Sequence, residues 1–185
     1  LVGSEMCIRD RLIWAVPAKN KITVPDSVTS IADNALKAGK ATSVYLGKKV
    51  KMIGKDAIAG KKITKVSIAK KNKSIAKQGQ CIYEKKSGKL LIAVAKKNVV
   101  KIGNKVKLIS EDASLCGSRQ LKKLDIGASV KTLQGAWGEF YRAGYVTTTK
   151  VYFRSKNPPK LTQNNDKNYC YLPIFRDVYL SLIHI

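Results

Sequence analysis

Histidine is almost missing from this chain. His184, next to the C-terminus, is the only one, so the body of the protein lacks the commonest general base and metal ligand. Four cysteines, Cys7, Cys81, Cys116 and Cys170, stand at wide, unrelated spacings with no CxxC pair. That pattern offers neither a zinc site nor a disulfide framework, and Cys81 and Cys116 read as small buried apolar residues. Acidic residues are also scarce, 12 against 36 Lys and Arg, for a formal charge of +24. Glu111 and Asp112 are the one adjacent pair of carboxylates in the body, and a solvated corner accounts for them better than a catalytic pair does. No Walker loop or GxGxxG segment occurs. The reading is therefore of a non-enzyme, with no catalytic residues, metal site or cofactor. No run approaches the roughly 18 apolar residues that span a bilayer, and the N-terminus lacks the basic, apolar and small-residue succession of a signal peptide. Aromatics make up only 7% of the chain, so a core must be assembled from Ile, Val, Leu and Ala, which suit short layered strands.

What is present is a recurring phrase. Two apolar residues flank an outward one at Ile22-Thr23-Val24, Val44-Tyr45-Leu46, Val66-Ser67-Ile68, Val100-Lys101-Ile102, Leu124-Asp125-Ile126 and Val151-Tyr152-Phe153. Counting from the second apolar residue of the clearest copies, plus four holds Val28, Val50, Val106 and Val130, and plus seven holds Ile31, Ile53, Ile109 and Leu133. Plus eleven holds Ala35, Ala57, Ala113 and Trp137, while the third copy keeps Ile75 but puts Asn72 at plus four. Successive origins lie 22, 22, 34, 24 and 27 residues apart. The long interval carries an extra hairpin at 81–94, two short strands around a turn with Gly88. A shift of 78 residues superposes Leu12, Ala15, Val16, Lys19 and Asn20 on identical residues, so the segment from Leu12 reads as the tail of an earlier hairpin-bearing coil.

Such offsets reach one interior only if the chain turns continually, and a coil of about 22 residues cannot bury that side alone. Stacked coils can, with their strands side by side in a parallel sheet. Pro25 and the punctuating Gly47, Gly54, Gly103 and Gly127 argue against long amphipathic helices. The expected fold is thus a mainly β repeat solenoid over residues 12–173, with coils starting near 22, 44, 66, 100, 124 and 151 and a further coil opening at 170–173. Residues 1–11 and 174–185 contain no Lys and no repeat phrase. They read as non-native tails of translated adapter sequence, set apart from the repeat.

The segment from Ile22 through Pro25, Ser27, Val28 and Ile31 to Ala35 resembles the BspA-like leucine-rich repeats of bacterial surface proteins. The hairpin around Tyr83 and Gly88, and Val151 to Pro159, resemble recurring variants of that family. The sequence departs from it in two ways: Leu36, Ile58 and Ser114 stand where the family has Phe, and Lys is in excess. The resemblance implies a right-handed leucine-rich-repeat coil, here a fragment of a longer secreted or cell-surface protein with an adhesive binding surface.

In-register stacking would align Thr23, Tyr45, Ser67, Lys101, Asp125 and Tyr152 as one ladder on the outer sheet face, flanked by Lys21, Ser43, Lys65, Lys123 and Lys150. Tyrosines among hydroxyls and ammonium groups suit an interface, so these are the candidate ligand contacts. The expected partner is a host or envelope protein or a glycan, or an anionic wall polymer held by charge. Nucleic acid is the competing reading of the basic surface, but Lys greatly outnumbers Arg and no recognition helix or stacking motif is apparent.

Overall fold

A computed structural model describes residues 3–17, 20–36, 40–58, 60, 62–118, 121–134, 150–157, 159–162 and 177–180. The readings at Trp137, 170–173 and His184 fall outside these residues, as does the side chain of Cys7. The first strands are β1 (Gly3–Ile8), β2 (Arg11–Pro17), β3 (Lys21–Thr23), β4 (Ser30–Ile31), β5 (Ser43–Leu46), β6 (Met52–Ile53), β7 (Lys65–Ile68), β8 (Ile75–Gln78) and β9 (Cys81–Glu84). Then follow β10 (Leu90–Val94), β11 (Val99–Ile102), β12 (Leu108–Ile109), β13 (Ser114–Cys116), β14 (Lys123–Ile126), β15 (Thr132–Gln134), β16 (Lys150–Phe153), β17 (Lys160–Thr162) and β18 (Asp177–Leu180). No helix occurs among the described residues.

The architecture is a β-solenoid whose repeat phrases form parallel ladders. The phrase strands stack as β3-β5-β7 and as β11-β14-β16-β18. Each step pairs like with like: Ile22 with Val44, Val44 with Val66, Val100 with Leu124, Leu124 with Val151. The plus-seven positions build a second, unanticipated set of parallel ladders, β2-β4-β6 and β12-β15-β17. Two-residue strands such as β4 and β6 show no alternation in sequence. They exist because stacking supplies the neighbour that a short strand needs.

Between these ladders the apolar offsets turn inward. Val24, Val28, Ile31 and Ala35 are all buried, and so are Leu46, Val50, Ile53 and Ala57 in the next coil. Coils approach so closely at the corner that a Cβ on Gly47 would lie 2.4 Å from the Pro25 carbonyl oxygen, which leaves glycine alone at that position. Leu36, Ile58 and Ser114, standing where the resembled family has Phe, are buried as well.

The 34-residue interval does hold a hairpin. Strands β9 and β10 pair antiparallel around a turn in which Gly88 takes a φ of +74°, a conformation natural to glycine. The insertion is larger than expected, because β8 also pairs antiparallel with β9, and β10 then runs parallel to β13. Strand β10 is buried along its whole length. Leu91, Ile92 and Val94 pack into one half of the core, and Leu90, Ala93 and Ala95 into the other. That two-sided burial is why Leu-Leu-Ile-Ala-Val reads as an unbroken apolar run. The same unit recurs 78 residues earlier. Strand β1 pairs antiparallel with β2, and the bonds from Thr29 and Ser30 N–H to Asp10 O reappear from Lys107 and Leu108 N–H to Gly88 O.

The insertion separates β7 from β11, and side chains close the two edges. The Gln80 amide donates to Val99 O at 2.8 Å and accepts from Lys101 N–H at 2.7 Å, as the backbone of a neighbouring strand would. The Cys81 thiol reaches Lys101 O at 3.4 Å. Burial pushes that thiol up to about 11, which makes it a structural group, not a reactive one. On β7, Lys77 Nζ donates to Val66 O at 2.7 Å. Its pKa is pulled down by burial first, then by Lys96 and Lys65.

Asn72, the polar residue at an apolar offset, has a physical reason. It is buried, and its Nδ2 donates to Gly47 O at 3.0 Å and Val50 O at 2.9 Å. Its Oδ1 accepts from Ser74 N–H at 2.9 Å and Ile75 N–H at 3.0 Å. All four hydrogen-bonding capacities of the amide are used, tying the corner of one coil to the next. Restoring the repeat with Asn72→Val should therefore destabilise the protein, by about 3 kcal/mol, since backbone groups of two coils lose their partners. Urea unfolding checks this; an unchanged or higher midpoint would show that the offset wants only an apolar side chain.

Candidate functional site

The side chains between the paired apolar positions alternate outward, because successive residues of a strand face opposite sides. The structure brings Thr23, Tyr45 and Ser67 into register on one sheet. It brings Lys101, Asp125 and Tyr152 into register on another, with the backbone of Tyr179 continuing the line. The single ladder expected from the repeat is thus two. Ser67 and Lys101 are not neighbours, because the turn Gln78-Gly79-Gln80 stands between β7 and β11. The flanking residues follow the same division: Lys21, Ser43 and Lys65 line the first sheet, Lys123 and Lys150 the second.

Local chemistry differs between the halves. In the first, Lys21 Nζ sits 5.8 Å from the centre of the Tyr45 ring. In the second, Tyr152 lies between two cations, Lys123 Nζ at 4.4 Å and the Arg154 guanidinium at 5.5 Å. Arg154 also forks onto Asp125, with Nε to Oδ1 and Nη2 to Oδ2 both at 2.7 Å. This bidentate geometry holds both charged side chains in place. It keeps the Asp125 carboxyl below its ordinary range, chiefly through the Arg154 hydrogen bonds, and raises Arg154 in return. The result is a half-buried, ordered patch of one aromatic ring, one carboxylate and two cations.

The sequence reading named Lys123, Asp125 and Tyr152 as candidate contacts and did not name Arg154, which the structure places beside them. The signal was available, since Arg154 stands two residues beyond Tyr152 and a strand returns to the same face at that interval. A groove of about 790 Å³ opens at the break between the ladders, lined by Gln78, Gln80, Lys96, Lys97, Lys101 and Asn104 among others. Its amides are already engaged: Gln78 Nε2 donates to Asn104 Oδ1 at 2.6 Å, and Gln78 Oε1 accepts from Lys105 N–H at 3.0 Å. No group of three or more metal-binding side chains occurs among the described residues.

Residues 8–88 match, in six copies, the family model of the BspA type leucine rich repeat region. Neither the curated proteins nor the solved structures contain a match to the chain.

The Asp125–Arg154 pair is partly solvent-exposed, so its contribution should not exceed about 1 kcal/mol. Because the folded carboxyl titrates below its unfolded value, that contribution is present above about pH 4 and fades as pH falls through the folded pKa. An NMR titration of the Asp125 carboxyl should give a value below 3.8. Arg154→Met should raise it; an unchanged value would mean the fork does not persist in solution.

Proposed function

Since residues 8–88 match the BspA type leucine rich repeat and the same phrase stacks on through β16, we propose that this chain is a non-enzymatic interaction module of a secreted or cell-surface bacterial protein. It binds a host or envelope protein, or a glycan, through the outer face of its phrase ladders. The observation that carries this reading is the ordered cluster of Lys123, Asp125, Tyr152 and Arg154. Tyrosine and arginine are the side chains most enriched where binding energy concentrates, and here their rotamers are already held, so little ordering is lost on contact. Tyr45 beside Lys21 offers a second, simpler contact on the first sheet. The resemblance to surface repeats supports the location, and the parallel sheet supports the use of a broad, stiff face.

Binding of the intact chain to immobilised extracellular-matrix proteins at 0.15 M salt tests the reading. Tyr152→Ala together with Arg154→Ala should weaken capture at least tenfold while thermal unfolding shifts only slightly. Equal capture by this variant and the parent chain would refute the assignment of the face. Preferential binding of duplex DNA that survives 0.15 M salt would favour the nucleic-acid reading instead.

A further inference from the structure

A different surface follows from the corner between the phrase strands and the plus-seven strands. Counting from the same origins, plus five is Lys51, Lys73, Lys107 and Lys131, and plus three is Lys49, Lys71 and Lys105. All seven are exposed. The corners stack directly: Asn72 bonds to Gly47 O and Val50 O, and Ser129 Oγ bonds to Val106 O at 2.8 Å. Lys131 N–H reaches Lys107 O itself, at 2.8 Å.

The hairpin that breaks the phrase ladders does not break this row. Lys85 N–H donates to Ser74 O and Lys107 N–H to Gly88 O, both at 2.9 Å, which sets the hairpin turn between Lys73 and Lys107. Lys86 is exposed on that turn. Lys51, Lys73, Lys86, Lys107 and Lys131 therefore follow one another layer by layer along this corner. The carboxylates nearest this corner are Asp26, which meets Lys48 at 3.5 Å, and Glu84, which accepts from Ser87 Oγ. Asp10, which accepts from Thr29 Oγ1 at 2.5 Å, stands in the first coil at the Lys51 end of the row, its carboxyl held below the ordinary range by that hydrogen bond and, more weakly, by the charge of Lys51.

Paired strands lie about 4.8 Å apart, as at the Lys107–Lys131 step, within the Debye length of about 8 Å at physiological salt, so neighbouring charges of the row act together. Such a file matches a charged chain lying lengthwise. Its ammonium groups are point charges on flexible stems, suited to phosphate or sulfate without fixed register. We propose that the lysine row binds a single linear polyanion carrying phosphate or sulfate groups, laid along the stacking axis. This surface is separate from the tyrosine-bearing ladder face.

The test compares two variants of equal net charge: Lys51, Lys73, Lys107 and Lys131 all changed to Gln, against exposed Lys40, Lys55, Lys62 and Lys122 all changed to Gln. The probes are long-chain inorganic polyphosphate, heparin and duplex DNA, and thermal unfolding confirms that both variants remain folded. The row variant should lose at least tenfold in affinity for polyphosphate, heparin or both, and the control variant less than twofold. The log-log salt slope should shrink by about 3 in the row variant, at about 0.7 per lost contact on a single strand. Which polymer binds more tightly separates a phosphate source from a sulfate source. Equal losses in both variants, or no binding of either polymer, would overturn the proposal. Tighter binding of duplex DNA than of both polymers would overturn it in favour of a nucleic-acid surface.

Discussion

No coil of this protein has an inside of its own. The residues at the phrase, plus four, plus seven and plus eleven meet apolar partners only because the coils above and below complete the core, and burial on that scale is what can offset the ordering of so many short strands. The same dependence applies to the backbone. A two-residue strand such as β4 is stable because β2 and β6 flank it. Everything else in the structure is a consequence of keeping neighbours in register, including glycine at the tight corner and Asn72 spanning two coils.

A stack also has to manage its interruptions. Where the hairpin pushes β7 and β11 apart, their edge groups would face the gap unpaired, an arrangement that invites pairing with another chain. Gln80, Cys81 and Lys77 supply the missing partners from side chains, and β10 fills the core on both sides. The interruption has a surface consequence too. It divides the outer sheet face into a half with Tyr45 and a half with Tyr152 and Arg154, yet leaves the lysine corner continuous. One repeat thereby presents two faces of different chemistry, one aromatic and hydrogen-bonded, the other rich in lysine.

The features legible in the sequence were those that the repeat copies in each coil. Val28, Val50, Val106 and Val130 stand at one offset because each fills the same place in the core, and the 78-residue shift marked the segment from Leu12 as the counterpart of β10, whereas β1, within residues set apart as a tail, carries no repeat phrase that would have shown its pairing with β2. The plus-seven ladders were less visible, since two residues cannot display a period of two. The division of the outer face was hidden for another reason. Spacing along the chain cannot say whether an insertion lies outside the stack or inside it, and β8 turned out to sit inside. Arg154 escaped because it follows the phrase instead of standing within it, although the alternation of β16 points it to the same side as Tyr152.

The central claim, that like positions of successive coils lie directly against one another, is best tested by backbone through-space contacts in solution. Amide and α-proton NOEs should connect Val44 with Val66, Leu124 with Val100, and Leu133 with Ile109, at offsets of 22 and 24 residues. A spectrum that lacks those contacts and shows runs of helical contacts three residues apart would contradict the stacked-coil account.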